Sequence, residues 1–464
     1  MLPISLFAYA FALWLGLYLL ARDARQPLLR YTGLGLISYA FALCGGILEA
    51  ASTTAAQAVA GRLLLPFILL PALFWAAAMV YLLPEHDGMR QRIQSSGDVA
   101  LALAGVVVYL LGVASDLSPV ALGDGSPPWA YLFLAGIVVT VLVVALALAV
   151  RAYHSTVARQ RAFGLLLSVT LFFALGVGLL LLPLNWLPFD LLILGIAPDL
   201  LLLGVTVAFV NAFSEGEALW PDLLRSLSYA GFTAILFASQ VAIVMWLAAG
   251  VTFPMLVLMI LTISNAIFLS TFSTLLSTML DPLVLAGYPA QLRERQRLRS
   301  EGDAALRRDQ ALDPLSLPEA EFSRLTRRAF SHMGNLPRLA SSPLTRLPQV
   351  EQRLKASGKE DSSLVRAAML RDVLAESTQR LKPHSKEAFA SGDAWRFYNA
   401  LYFPYVAGLK PYSRRVNHDN LRAGEREALD WFRREVPQRT LYNWQTAAAE
   451  LVAQDLREHS HESG

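Results

Sequence analysis

Cysteine is almost missing from this chain: Cys44 is the only one in 464 residues. That excludes a disulfide within the chain and any CxxC metal or redox site. Charge is scarce as well. Charged residues make up 16% of the sequence, against about 25% in soluble domains. A single large soluble enzyme and a disordered chain are both excluded. Lysine is absent from residues 1–284, which hold 10 arginines and 13 acids for a net charge of −3. A retinal Schiff base needs a buried lysine, so this stretch carries none. His86 and His154 both fall between apolar runs, where they do not serve as haem ligands inside a membrane. There is no HExxH and no carboxylate–histidine cluster for a metal. GxxxxGK[ST] and GxSxG are missing too. The sequence predicts a protein that is not an enzyme and holds no cofactor.

What is present is apolar length. A membrane-crossing helix needs about 20 mostly apolar residues. Nine such runs are expected, at about 3–21, 31–50, 63–83, 99–115, 129–150, 162–183, 187–212, 229–249 and 254–280. Arginine is distributed unevenly between them. Arg22, Arg25, Arg30, Arg90, Arg92, Arg151, Arg159, Arg161 and Arg225 fall in alternate loops, and the remaining loops hold Arg62 alone. The positive-inside rule then places the N-terminus outside and the C-terminus inside. The first run has no positive residue before it, so it is expected to stay as a span and not to be cleaved. No internal repeat is evident, unlike many transporters.

Polar side chains inside spans are functional candidates by default. Four stand out: Glu49 closing the second span, Asp199 beside Pro198 in the seventh, Gln240 in the eighth and Asn265 in the ninth. Asp199 reads either as a sensing or proton-linked carboxylate or as a packing group beside a proline kink. Asp190 belongs at the interface. In the ninth span, Ser270, Thr274, Ser277 and Asp281 recur at three- and four-residue steps and so share a face. Small hydroxyl residues allow close helix approach in lipid. That face is expected to pack on another helix, and a homodimer through the last membrane helix is one form of it.

Residues 285–317 are a charged connector with helix-forming composition. Arg293, Arg295, Arg297 and Arg299 alternate along it and suit anionic lipid headgroups, at about 1 kcal/mol per charge. An ordinary solvated helix is the other reading. Residues 285–464 carry a net charge of +6.

Residues 318–464 read as helical throughout, so the fold class is all-α: a polytopic membrane bundle followed by a helical cytoplasmic domain. Segments 318–330, 364–381, 395–406, 425–436 and 438–457 carry the helical pattern. His332 lies in FSHMGNLPRL, which lacks the acidic neighbour and the ATP lid of a sensor kinase. It reads as a helix-end residue. His459 and His461 lie in the tail.

The last helix pair, REALDWFRREVPQRTLYNWQTAAAELVAQDLRE, is the most informative stretch. In its second helix Leu441, Trp444, Ala448 and Leu451 share one face, expected to bury against the first helix. Arg439, Tyr442, Asn443 and Gln445 lie on the opposite face and suit phosphates and base edges in a major groove. Arg433 and Arg434 precede them. VPQRTLYNWQ resembles the turn and recognition helix of helix-turn-helix regulators. WRFYNALYFPYVAGLKPYSRR is similar to the helix preceding such motifs in sigma-region-4-like bacterial regulators. The apolar half, through LARDARQPLLRYTGLGLISYAFAL and AFSEGEALWPDLLRSL, resembles the multi-helix sensor regions of bacterial signalling proteins.

These resemblances imply a sensor or regulator in the bacterial inner membrane whose cytoplasmic domain binds DNA. A membrane scaffold is the main alternative. It would dock a cytoplasmic protein through an exposed aromatic patch at Phe397–Tyr405. A transporter is the third, with a water-accessible cavity at Asp199.

Overall fold

The computed structural model describes residues 1–83, 88–115, 129–155, 160–181, 189–215, 219–284, 289–307, 313–385, 387–412 and 421–462. His86 and the expected boundary between the sixth and seventh spans lie outside them, as do the side chains of Asp190, Arg293 and His461. All regular structure among the described residues is helical. The chain divides into two compact units, Met1–Asn211 with Leu223–Leu280, and Ala212–Asp222 with Asp281–Gly464.

The apolar half supplies α1 (Leu2–Asp23), α2 (Pro27–Ala50), α3 (Ala55–Leu64), α4 (Leu70–Val80), α5 (Gly88–Ala114) and α6 (Trp129–Ser155). It continues with α7 (Gln160–Leu180), α8 (Phe189–Gly195), α9 (Ala197–Glu215), α10 (Trp220–Val244), α11 (Phe253–Thr271) and α12 (Ser273–Val284). Several begin on a proline at the first or second helical position: Pro3, Pro27, Pro71 and Pro254. The missing amide costs nothing there.

Among the described residues, eight helical stretches are long and apolar enough to cross a membrane. The sixth expected run appears as the shorter apolar stretch Gly164–Leu180 in α7. Two expected boundaries need correction. The third run starts earlier, spanning Ala55–Val80, because Thr54 caps α3 by accepting from the Gln57 amide. Pro66 and Pro71 break this run into α3, a tight turn at Leu65–Leu69 and α4. The ninth run is two helices, not one. It stops at Thr271, turns at Phe272 and restarts as α12.

Helix α2 packs against α1 and α3 at two glycine crossings. A methyl group on Gly16 would lie 2.8 Å from the Gly33 carbonyl oxygen, and one on Gly45 would lie 2.8 Å from that of Gly61. Only a hydrogen fits at these points, so the backbones approach as small residues allow in lipid. Aromatic hydroxyl and indole groups then link the helices. Tyr9 bonds to Ser264 at 2.6 Å, Trp14 Nε1 donates to Ser226 at 3.2 Å, and Trp75 Nε1 donates to Thr170 at 3.2 Å. Each buries a large apolar ring while satisfying its polar end.

The second unit comprises α13 (Pro289–Arg307), α14 (Glu319–Ser331), α15 (Leu336–Ala340), α16 (Pro348–Ser357), α17 (Ser363–Arg380), α18 (Arg396–Leu401), α19 (Ala423–Arg434) and α20 (Gln438–Glu462). Two apolar cores lie among its described residues. The larger joins Phe322 and Phe330 of α14, Leu370 and Leu374 of α17, and Ala448, Val452 and Leu456 of α20. The smaller joins Ala400 and Phe403 to Trp431 and Phe432 of α19, with Leu441 at the start of α20. Thus α20 serves both cores with different parts of its length. The face expected from sequence is corrected accordingly: Leu451 is exposed, and Val452 and Leu456 are buried in its place.

Candidate functional site

The α19–α20 pair places most of the predicted DNA-facing residues together. At the start of α19 the Arg422 backbone amide donates to the Glu425 carboxylate at 3.0 Å, and the helix ends at Glu435, two residues before Pro437. Three residues, Glu435–Pro437, separate the two helices, a spacing within the helix-turn-helix range. Behind the turn, Trp431 stacks on Trp444 with centroids 5.9 Å apart. In front of it, Arg434, Arg439, Tyr442 and Asn443 are exposed. Arg439 and Asn443 are four residues apart and therefore lie on one side of the helix.

Two members of the predicted set behave differently. Gln445 is buried, and its Nε2 donates to the Ala400 carbonyl at 3.3 Å. It ties α20 to α18 and is not exposed beside Asn443. Arg433 donates from Nε to the Pro411 carbonyl at 2.9 Å, which fixes the segment after α18. Gln445→Ala should destabilise the unit by about 1–3 kcal/mol, because the Ala400 carbonyl loses its partner. Denaturant unfolding checks this, with Asn443→Ala on the exposed side expected to stay within about 0.5 kcal/mol.

Beside these residues lies a groove of about 310 Å³, lined in part by Tyr405, Lys410, Tyr412, Gln438 and Tyr442. Tyr412 donates to the Val436 carbonyl at 2.7 Å and so holds the inter-helix turn. Burial, with Tyr442 nearby, pushes its phenol above the ordinary value. Lys410 and Tyr412 fall within the stretch WRFYNALYFPYVAGLKPYSRR, but the sequence assigned neither of them a role. Their place emerges only once the segment after α18 folds back onto the turn.

The aromatic segment expected as an exposed docking patch is corrected. Trp395, Tyr398 and Phe403 are buried, and Phe397, Tyr402 and Tyr405 are half-buried against the two cores. Burial raises the Tyr398 phenol to about 12, with Tyr402 adding to the effect. His332 ends α14, as expected, with its amide bonded back to Ala329.

The connector arginines are partly engaged. Asp281, buried at the end of α12, accepts from Arg295 at 3.1 Å and from Arg299. Arg297 pairs with Glu301 at 3.3 Å. A polar cleft of about 930 Å³ runs beside α13, with Arg297, Glu301, Glu360, Asp361 and Arg366 among its walls. Asp361 holds the Arg366 guanidinium with two bonds of 2.6 and 2.7 Å and raises its proton affinity. Opposite charges alternate in this cleft, so it carries no field of one sign.

Inside the apolar half, Glu49 pairs with Arg62 at 3.3 Å. Arg62, expected in a loop, lies in the last turn of α3, where this contact joins it to the acid at the end of α2. Asp199 is not mid-helix. It occupies the first turn of α9, directly after the break at Ile196. The positive end of the helix dipole suits a carboxylate there. It is half-buried, and a methyl on Gly176 of α7 would lie 3.8 Å from its Oδ2. Tyr39 donates to the Ile193 carbonyl at the same break, at 2.7 Å. Gln240 and Asn265 are both exposed. The hydroxyls of Ser270, Ser277 and Thr278 bond to carbonyls of their own helices. With the break at Phe272, the continuous hydroxyl face expected from sequence does not form. No group of three or more metal-ligating side chains occurs among the described residues.

No family model, no curated protein and no solved structure matches this chain.

Proposed function

We propose that this protein is a membrane-anchored sensor or regulator whose cytoplasmic helical domain binds DNA. In this reading the apolar half crosses the inner membrane nine times, with α7 as the shortest crossing. The N-terminus is outside and the C-terminus inside, as the arginine distribution implies. The observation that carries the DNA reading is the exposure of Arg434, Arg439, Tyr442 and Asn443 around the start of a helix whose far half is locked in a core. Recognition helices present their N-terminal residues to base edges in this way. Arg439 and Asn443 would read bases. Arg434, with Lys410 beside the groove, would hold phosphates. A change in the bundle that repositions or pairs the cytoplasmic domains would be the signal.

The test uses full-length protein in lipid nanodiscs. Arg439→Ala combined with Asn443→Ala should abolish discrimination between duplexes, a loss of about 1–3 kcal/mol per base contact. Arg434→Ala should weaken binding to all duplexes alike and reduce the salt slope by about 1. Discrimination that survives the double substitution rejects the assignment. A second reading, docking of a protein segment, is favoured by the tyrosine-lined groove at Tyr405, Tyr412 and Tyr442. Aromatic-lined grooves accept extended, proline-rich peptides.

A further inference from the structure

The walls of the groove beside the α19–α20 turn are pinned from behind. Tyr405 packs its ring on Phe330 of α14, with centroids 5.9 Å apart. Tyr412 is held by the Val436 carbonyl at 2.7 Å, and Arg433 Nε donates to the carbonyl of neighbouring Pro411 at 2.9 Å. On the α20 side, Leu441 and Gln445 are buried. The chain reaches the groove through a widened turn, in which the Ala407 amide donates to the Tyr402 carbonyl five residues back at 2.8 Å. Such π-helical turns are rare and are frequent at functional sites. Preformed walls with a few placed polar groups are what small-molecule sites share.

Two polar groups of the groove lack partners. Gln445 is 6% exposed, and its Nε2 is taken by the Ala400 carbonyl. Its Oε1 accepts no hydrogen bond among the described residues and is not sealed from solvent. Gln445 lines the groove, so this acceptor opens onto it. The Lys410 ammonium forms no ion pair among the described residues. No acidic side chain is among the described lining residues.

From this arrangement we infer that the groove binds a small aromatic carboxylate bearing one hydrogen-bond donor. The ring lies against Tyr405, Tyr412 and Tyr442, the carboxylate meets Lys410, and the donor meets Gln445 Oε1. Tyrosine faces also suit a cationic ligand, but Lys410 repels one and no acid offsets it. A single ammonium is a point charge and matches one carboxylate. The volume of about 310 Å³ lies at the lower end of small-molecule sites, about 300–1,000 Å³, which limits the ligand to one or two rings. The site does not depend on the DNA reading. Under that reading Lys410 holds a phosphate, so ligand and duplex would exclude one another, and titration without DNA keeps the two separable.

Isothermal titration of the full-length protein in lipid nanodiscs with 4-hydroxybenzoate and indole-3-acetate tests the site. Empty nanodiscs correct for partition into lipid. Both acids should saturate, with a Kd of about 1 mM or tighter. 4-Hydroxybenzamide lacks the charge and benzoate lacks the donor, so each should bind at least about fivefold weaker than 4-hydroxybenzoate. Benzoate reads the role of Gln445 without substituting it, since that residue also ties α20 to α18. Lys410→Met should erase the preference for 4-hydroxybenzoate over the amide. Tyr442→Ala should weaken both acids at least about fivefold. Both side chains are exposed, so the melting temperature should hold in each variant. Three results overturn the inference: no saturable binding of either acid, equal binding of acid and amide, and a Lys410→Met protein that binds as wild type does. A proline-rich peptide bound in place of the acids would overturn it too, and would assign the groove to protein docking.

Discussion

Phe432→Ala should destabilise the second unit by about 3–5 kcal/mol, the cost of truncating a fully buried aromatic ring. Phe432 is fully buried. It meets Phe403 edge-on with centroids 6.5 Å apart and lies beside Trp431 at 5.0 Å. These rings are the centre of the smaller core, and little else is available to fill the cavity. The loss has a functional consequence, because this core holds α19 and the start of α20 together. The exposed Arg434 of α19 and Arg439 and Asn443 of α20 would lose their fixed placement. Unfolding followed by tryptophan fluorescence reads the change directly, since Trp431 and Trp444 stack next to the site. A loss below about 1 kcal/mol would show that the core does not support the pair.

Gly45→Val should disrupt the apolar half more than any exposed substitution there. A Cβ at Gly45 would already lie 2.8 Å from the Gly61 oxygen and 2.9 Å from the Leu65 amide nitrogen. Backbone atoms at that distance must move, and overpacking of this kind costs about 1–3 kcal/mol or more. The crossing also positions Glu49, whose backbone faces Gly61, so the Glu49–Arg62 pair should be displaced with it. Gly136→Ala is the control. Nothing lies within 4 Å of an added methyl there, and replacing a helical glycine by alanine gains about 0.5–1 kcal/mol. Thermal unfolding in detergent should show a clear drop for the first and a small rise for the second. Equal melting temperatures would contradict the crossing.

The features that were legible in the sequence rest on local physics. Apolar runs, proline starts and the acid-rich first turn of α14 each act within a few residues. The all-helical class and most helix positions follow from them. What was not legible depends on distant partners. Gln445 lies in a polar stretch of α20, but the position of α18 beneath it makes it a core residue. Leu451 and Val452 differ only in which of them meets α14. The break at Phe272 has neither proline nor glycine to announce it. Asp281 reads as a continuation of the hydroxyl stripe until Arg295 and Arg299 return to it. Helices α15 and α16 lie in a stretch with Pro337, Pro343 and Pro348, whose turns break any simple period. In the candidate site, Arg434, Arg439, Tyr442 and Asn443 were readable because exposure follows helical spacing. Lys410 and Tyr412 were not, because a loop brings them there.

The most direct measurement is DNA binding by the full-length wild-type protein in nanodiscs, titrated with salt from about 50 to 200 mM against random and genomic duplexes. With Lys410 and Arg434 on phosphates and Arg439 on a base, the account predicts binding with a log–log salt slope near −2, since each neutralised phosphate contributes about −0.9. It also predicts a subset of duplexes bound at least tenfold tighter than random sequence. Absence of binding at about 50 mM salt would contradict the account and leave the α19–α20 pair a structural element of the second unit.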